Sequence, residues 1–451
     1  MIAAIPVPSR FRIIAAAALC ALSFLCASAA QATKIERVVS PGGIEAWLVR
    51  ETSLPVIAVE FAFHGGANQD PAEKPGVANL AADLLDEGAG DLDSKAFHER
   101  LEELAISLGF QATREHLHGS MRTLVDNRDE AFRLLKLALT APRFDADVVE
   151  RIRAQLMAQL TAETTNPGSI ANKLWWTTAF AGHPYGRPSR GTLDSLPLVS
   201  VDDMRTFVRR SLAKEALKIT VVGDIDAATL GPLLDQTFGA LPDKGDFTPV
   251  ADTAPQGIGR QIFVDLDVPQ TVVSFGGAGI HRKDPDFMAA YVVNQILGGG
   301  SFSSRLYAEV REKRGLAYGV SSSLVWLNHT ALFVGATATR AERANETVAI
   351  IQQQIANMAD NGPTEDELAK AKAFLKGSYG LAFDTSAKIA NQLLQIQIDD
   401  VGIDYIDRRS AMIDAVTIDD AKRVAKRLLG GGLLVTVVGR PQGTPVKDSG
   451  G

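Results

Sequence analysis

Cysteine is nearly absent from this 451-residue chain: there are two, Cys20 and Cys26. Both fall in an N-terminal stretch that reads as a leader, so the mature chain has none, which excludes disulfide scaffolds and thiol catalysis. Positive charge is also short, with 46 Lys and Arg against 53 Asp and Glu, a net −7. That balance gives no electrostatic reason to expect nucleic acid as a partner. Beyond the leader, no apolar run reaches the ~20 residues that a membrane-crossing helix needs. What is plentiful is apolar residue, at 46%, which excludes disordered and collagen-like chains. Single cores stop growing at ~250–300 residues, so two or more domains are expected.

The leader is legible in detail. Arg10 and Arg12 precede an apolar stretch from Ile13 to Leu25, and Ala30-Gln31-Ala32 offers a small-x-small cleavage site before Thr33. Residues 1–32 therefore read as a secretory signal peptide. A membrane anchor is the competing reading, but the stretch is too short to span a bilayer. Leu19 and Leu25 stand where lipidation of Cys20 or Cys26 would want a small residue. Loss of Arg10 and Arg12 leaves 44 basic and 53 acidic residues, a formal −9. An exported protein without a membrane span is expected, with a bacterial periplasm as the compartment that fits.

The mature chain repeats itself. Strand-like Val56–Phe63 leads through Gly65-Gly66 to Asp70-Pro71 and a helix; Thr271–Phe275 leads through Gly276-Gly277 to Asp284-Pro285 and another helix, 214 residues later. Ser200-Val-Asp-Asp opens a helix that leads into Ile219–Gly223, and Thr417-Ile-Asp-Asp opens one that leads into Val435–Gly439. Both starts have a hydroxyl N-cap with an acidic residue three positions on. The expected fold is α+β, because strands and helices come in blocks, including helices over Glu342–Asp360 and Glu365–Ala382. Two homologous domains of roughly 200 residues each are expected, each a mixed sheet flanked by helices. They span 33–240 and 261–440, joined by a Pro- and Gly-rich linker over 241–260. The tail, 441–451, is expected to be disordered.

At this point the residues resemble a family. Gly65-Gly66, Asp70-Pro71, the run from Lys74 through Asn79 and Ala82 to Asp83, and Gly182-His-Pro-Tyr-Gly-Arg-Pro188 are similar to the pitrilysin/insulinase family of zinc metallopeptidases. The similarity continues through Leu297–Leu306 and Val310–Tyr318, and covers essentially all of Thr33–Gly439. Active members carry His-x-x-Glu-His on the first long helix, with a distal Glu about 76 residues further on. The matching positions here are Asn79, Ala82, Asp83 and Gln159. All four are changed. Ala82 cannot serve as a base, and Asn79 and Gln159 are poor neutral zinc ligands. Glu87, one turn beyond, reads as a solvated helix residue. The resemblance thus implies no zinc or other cofactor in this chain.

The histidines offer no replacement. His116 and His118, two apart on a strand, face the same side, but no third ligand at metal spacing is evident. His183 reads as a loop residue packing a turn, and His64, His98, His281 and His329 as scattered singles.

The second half keeps other elements. Gly298-Gly299-Gly300 reads as a flexible loop whose backbone could approach a substrate closely. A helix is expected from about Ser303, ending at Gly315 as its C-cap. The resemblance implies that an Arg and a Tyr seven residues apart contact substrate and polarise the scissile carbonyl; Arg311 and Tyr318 have that spacing. A fixed cation and a phenolic donor suit a developing oxyanion. The alternatives are that Arg311 only neutralises a helix end and Tyr318 only packs on a sheet, or that Arg314 is the functional cation.

The resemblance therefore implies a non-catalytic subunit of a heterodimeric zinc endopeptidase, forming one half of a clam-like shell. A paralogous partner would supply zinc, and peptide would bind as an added strand at a sheet edge. The alternatives are an inert scaffold or assembly protein, or a peptide-binding protein, of the same fold.

Overall fold

β-branched and aromatic runs with period-two alternation make the strands. In β3 (Val56–His64) Ile57, Val59, Phe61 and Phe63 point into one fully buried core, while Ala58 and Ala62 are buried on the opposite face. The chain is seen here in a computed structural model that describes residues 34–440. The leader expected over 1–32 and the tail expected over 441–451 lie outside the described residues.

Two sheets organise the molecule. The first contains β1 (Ile35–Val39), β2 (Glu45–Arg50), β3, β4 (Ser107–Ala112), β5 (His116–Leu124) and β6 (Leu217–Gly223), in the order β1-β2-β6-β3-β5-β4. The second contains β7 (Gln261–Asp265), β8 (Gln270–Ala278), β9 (Ala317–Leu327), β10 (Thr330–Arg340) and β11 (Leu434–Gly439), in the order β7-β11-β8-β10-β9. Without β1 the two orders are the same, and in each the sole parallel pair is the matching one, β2 with β6 and β7 with β11. The repeat extends to single side chains. Phe61 lies across the ladder from Gly119, and Phe275 from Gly335. A Cβ at Gly119 would stand 2.0 Å from the Phe61 ring, and one at Gly335 would stand 2.2 Å from Phe275. Each glycine leaves room for an aromatic ring to lie over the sheet.

Helices follow their caps. The relevant ones are α1 (Val77–Ala82), α2 (Ala146–Glu163), α3 (Pro167–Ala179), α4 (Val201–Ser211), α5 (Ser386–Ile398) and α6 (Ile418–Leu429). The caps expected at Ser200 and Thr417 are complete capping boxes with Asp203 and Asp420, at the starts of α4 and α6. The helix expected over Glu342–Asp360 is Ala344–Asn361. The one expected to reach Ala382 ends at Gly377 and passes into a tighter turn, Tyr379–Phe383. Gly377 and Gly380 weaken helix propagation there.

The two halves exchange helices across their joint. α3, from the first half, lies on β8 and β11, while α5, from the second, lies on β3 and β6. Trp175 of α3 donates Nε1–H to the Leu434 carbonyl at 3.1 Å, and Gln397 of α5 donates Nε2–H to the Ile219 carbonyl at 3.0 Å. Each exchange has its own apolar cluster, one around Trp175, Phe180, Tyr185 and Leu332, the other around Trp47, Val222, Leu393 and Tyr405. Between Phe238 and Gln261 there is no regular element. No described helix is long and apolar enough to cross a membrane.

Candidate functional site

The first candidate region is the helix that carries Asn79, Ala82 and Asp83. It is short. α1 ends at Ala82, with Asp83 as its C-cap, and the N–H groups of Leu84 and Leu85 reach only three residues back. Asp70 sets its start, accepting from the N–H groups of Gly76 at 2.7 Å and Ala78 at 2.8 Å. Asn79 is buried, and its Oδ1 has no hydrogen-bond partner among the described residues. Ala82 is fully buried and Asp83 half-buried. Gln159, on α2, is exposed. Glu87 differs from its expected place on a solvated helix face. It lies beyond α1, mostly buried, accepting from Ser94 Oγ and from Arg151 at 2.6 Å.

Two residues that the sequence motif did not mark occupy this region. Arg190 forms an ion pair with Glu163, one helical turn beyond Gln159. The same guanidinium favours the charged form of Asp83, although burial prevails and pushes the Asp83 carboxyl up to about 6. Burial likewise pushes Asp86 up to about 6.

A zinc ion does not fit this set. The candidate donors are an amide oxygen at Asn79, one carboxylate at Asp83 and an exposed amide at Gln159. Zinc sites are built from imidazole, thiolate and carboxylate in a tetrahedron, and this set has no imidazole and one formal charge. The orphaned Asn79 oxygen does not change that count. The mature chain, dialysed against zinc and then measured for metal, is expected to hold well under one equivalent. Stoichiometric uptake would contradict this account of the site.

Asp83 also gives a pH signature. Its pKa is higher in the folded chain than in the unfolded one, so its favourable contribution is full below the unfolded value and is lost as pH rises toward about 6. Asp83→Asn is therefore expected to raise the melting temperature near pH 8 and to leave it almost unchanged near pH 4. Equal shifts at both pH values would sink the argument.

The second region is the segment from Gln295 to Tyr318. Here the glycines differ from expectation. Gly298 and Gly299 lie in a wide helical turn, Gln295–Gly299, with Gly300 at its end, and do not form a flexible loop. The turn is packed hard: a Cβ at Gly298 would lie 2.4 Å from Ser322 Oγ on β9, and one at Gly299 would lie 2.8 Å from Asn294 Nδ2. These glycines allow close packing. The next helical stretch, Arg305–Tyr307 continued by Ala308–Glu312, ends before the expected Gly315: Lys313 is its C-cap, and Gly315, with a φ of +57°, turns the chain two residues later.

The segment brings Arg311 and Tyr318 together. The Arg311 guanidinium lies 4.4 Å from the centre of the Tyr318 ring and donates to the Tyr318 carbonyl at 3.1 Å. The Tyr307 ring centre is also near it, at 5.2 Å. Tyr318 is 84% exposed, an unusual state for a strand tyrosine. Arg314, the rival cation, is taken up by Glu309, which also binds Lys313. Arg311 has no carboxylate within ion-pairing distance among the described residues.

The histidines are less scattered than their spacing suggests. The antiparallel register sets His64 opposite His116, and the rings run in a row, His64 to His116 and His116 to His118, each 5.7 Å apart. Burial, reinforced by the neighbouring rings, pushes His116 down to about 3. Among the described residues no group of three or more His, Cys, Asp or Glu is placed to hold a metal. His183 accepts from the Tyr185 N–H and caps the turn Pro184–Gly186.

Comparison with known proteins bears on this arrangement. Residues 48–193 match the model of the insulinase family, peptidase family M16, and residues 199–375 match the peptidase M16 inactive domain. The chain is 29% identical over 343 residues to the non-peptidase homolog YmxG of Helicobacter pylori, covering 75% of this chain and 78% of that protein. It is 26% identical over 423 residues to an uncharacterized zinc protease of Streptomyces coelicolor, covering 92% and 90%. A crystal structure of the peptidase M16 inactive domain from Pseudomonas fluorescens superposes with a TM-score of 0.85 at 29% identity, covering 90% of this chain and 98% of that one.

Proposed function

The chain belongs to peptidase family M16, the insulinase family, and from that premise we propose that it is the non-catalytic subunit of a two-chain zinc endopeptidase. In this reading a paralogous partner holds the zinc, which would supply the activated water for peptide hydrolysis. This chain completes the site. Arg311 and Tyr318 reach the scissile carbonyl and stabilise the oxyanion that develops there, the cation by charge and the phenol by donating a hydrogen bond. β9 is the outer strand of its sheet, so an extended peptide could pair with its edge on the Tyr318 side of Ser322, whose carbonyl accepts from Asn294. The assembly works outside the cytoplasm, after loss of the leader, as two halves of roughly 200 residues joined through 241–260.

One observation carries the reading: a cation without a carboxylate partner stacked on a tyrosine that is left 84% exposed. A purely structural pair would gain more from burial. The degenerate positions Asn79, Ala82, Asp83 and Gln159 explain why the partner must bring the metal. The names of two relatives, a non-peptidase homolog and an inactive domain, agree with a chain that does not hydrolyse peptides alone.

The test is purification of the tagged mature chain from its native host. A near-stoichiometric companion carrying an intact His-x-x-Glu-His is the expected result. A chain that comes down alone or as a homodimer would overturn the proposal in favour of a scaffold or peptide-binding protein.

A further inference from the structure

Arg114 is a half-buried cation without a counter-charge among the described residues. Its guanidinium lies 3.6 Å from the centre of the Trp176 ring, and its Nε donates to the Tyr185 carbonyl at 3.2 Å. No carboxylate lies within ion-pairing distance of it among the described residues. Its neighbour Glu115 is committed elsewhere, accepting from the Tyr185 hydroxyl and from the Asn328 N–H at 2.9 and 3.0 Å. Burial pushes the Arg114 guanidinium down to about 10, which still leaves it charged at neutral pH. Partial desolvation of a charge with no counter-charge is costly.

Space lies on both sides of it. A cavity of about 510 Å³ at the joint between the halves is bordered by Arg114, His116, His118, Trp176, His281 and Lys283. A second, of about 590 Å³, opens across the Arg114–Trp176 stack and is bordered by Lys173 and Arg187. Both are within the usual size range of small-ligand sites, roughly 300–1,000 Å³. Neighbouring cations are already matched: Arg282 by Asp399 at 2.9 Å and Lys283 by Asp400 at 2.6 Å. Arg114 is not. With one face on Trp176, its fork is suited to two parallel hydrogen bonds with an oxyanion.

We propose that the joint between the two halves holds an anion site anchored by Arg114 that takes a carboxylate ligand, either a small di- or tricarboxylate or the carboxyl terminus of a peptide. Arg311 and Tyr318 border neither cavity, the second cavity reaches Glu163 and Arg190 beside the degenerate zinc positions, and the site needs no partner subunit.

Calorimetric titration of the mature chain at low ionic strength tests this, using citrate and a short peptide with either a free or an amidated carboxyl terminus. Saturable binding of citrate or of the free-acid peptide is expected, with a change in tryptophan fluorescence from Trp176. Preference for the free acid over the amide would assign the ligand to a peptide end; citrate alone would assign it to a small anion. Arg114→Met should weaken binding by about tenfold or more while the ligand-free chain melts no lower than wild type, since an unpaired charge has been removed. Arg114→Lys, which keeps the charge and loses the fork, should fall between the two. Absence of saturable binding, equal binding by Arg114→Met and wild type, or equal binding by Arg114→Lys and wild type would overturn the proposal.

Discussion

Tyr318→Phe is expected to lower turnover by the assembled peptidase about 10²–10³-fold, the usual effect of deleting one oxyanion donor. The substitution removes a hydroxyl and leaves the ring, so the stacking of Arg311 at 4.4 Å is preserved. Because the side chain is 84% exposed, the fold and the association with the zinc subunit should be unaffected. KM should change little, since the hydroxyl acts on charge that develops after binding. Unaltered turnover in the reconstituted pair would leave Tyr318 idle and favour the scaffold reading.

Trp175→Ala is expected to cost about 3–5 kcal/mol of stability, the range for deleting a large buried aromatic side chain. Trp175 is 2% exposed and comes from the first half, yet it packs on the second half's sheet. Its Cζ2 lies where a Cβ on Gly276 would be 2.7 Å away, and its Nε1–H satisfies the Leu434 carbonyl. The loss therefore falls on the joint. Denaturant unfolding should change from one cooperative transition to two, as the halves uncouple. A cost below about 1 kcal/mol with a single transition would show that the α5 exchange holds the halves together alone.

The repeat was readable because its markers are local. Glycine pairs, Asp-Pro steps and capping boxes fix nearby backbone, so a duplicated α+β domain could be anticipated from Gly65-Gly66, Gly276-Gly277, Ser200 and Thr417, though not its strand order. Arg311 and Tyr318 came from the resemblance, which set them seven residues apart on one segment, and the structure brings them into contact. The exchange of α3 and α5 was not legible, since periodicity says which face of a helix is apolar but not whose sheet it covers. The adjacent Trp175 and Trp176 were the available hint. Their rings meet edge to face 5.6 Å apart, Trp175 packed on the second half's sheet and Trp176 under Arg114.

Misplaced expectations share a cause. Gly298, Gly299 and Gly300 suggested mobility, but glycine serves close packing equally well, and Ser322 and Asn294 decide between the two. His64 looked isolated because register, not sequence distance, sets it beside His116. Arg190 and Glu163, which meet at the degenerate site, are distant in sequence and lie outside any motif.

The most direct measurement of the central claim is hydrolysis of a quenched fluorogenic peptide by this chain alone, by the His-x-x-Glu-His partner alone, and by the two mixed. The account predicts little or no activity from either alone, strong activity at a one-to-one ratio, and loss of that activity when Tyr318→Phe replaces the wild type. A partner that is fully active without this chain, or a mixture indifferent to Tyr318, would contradict it.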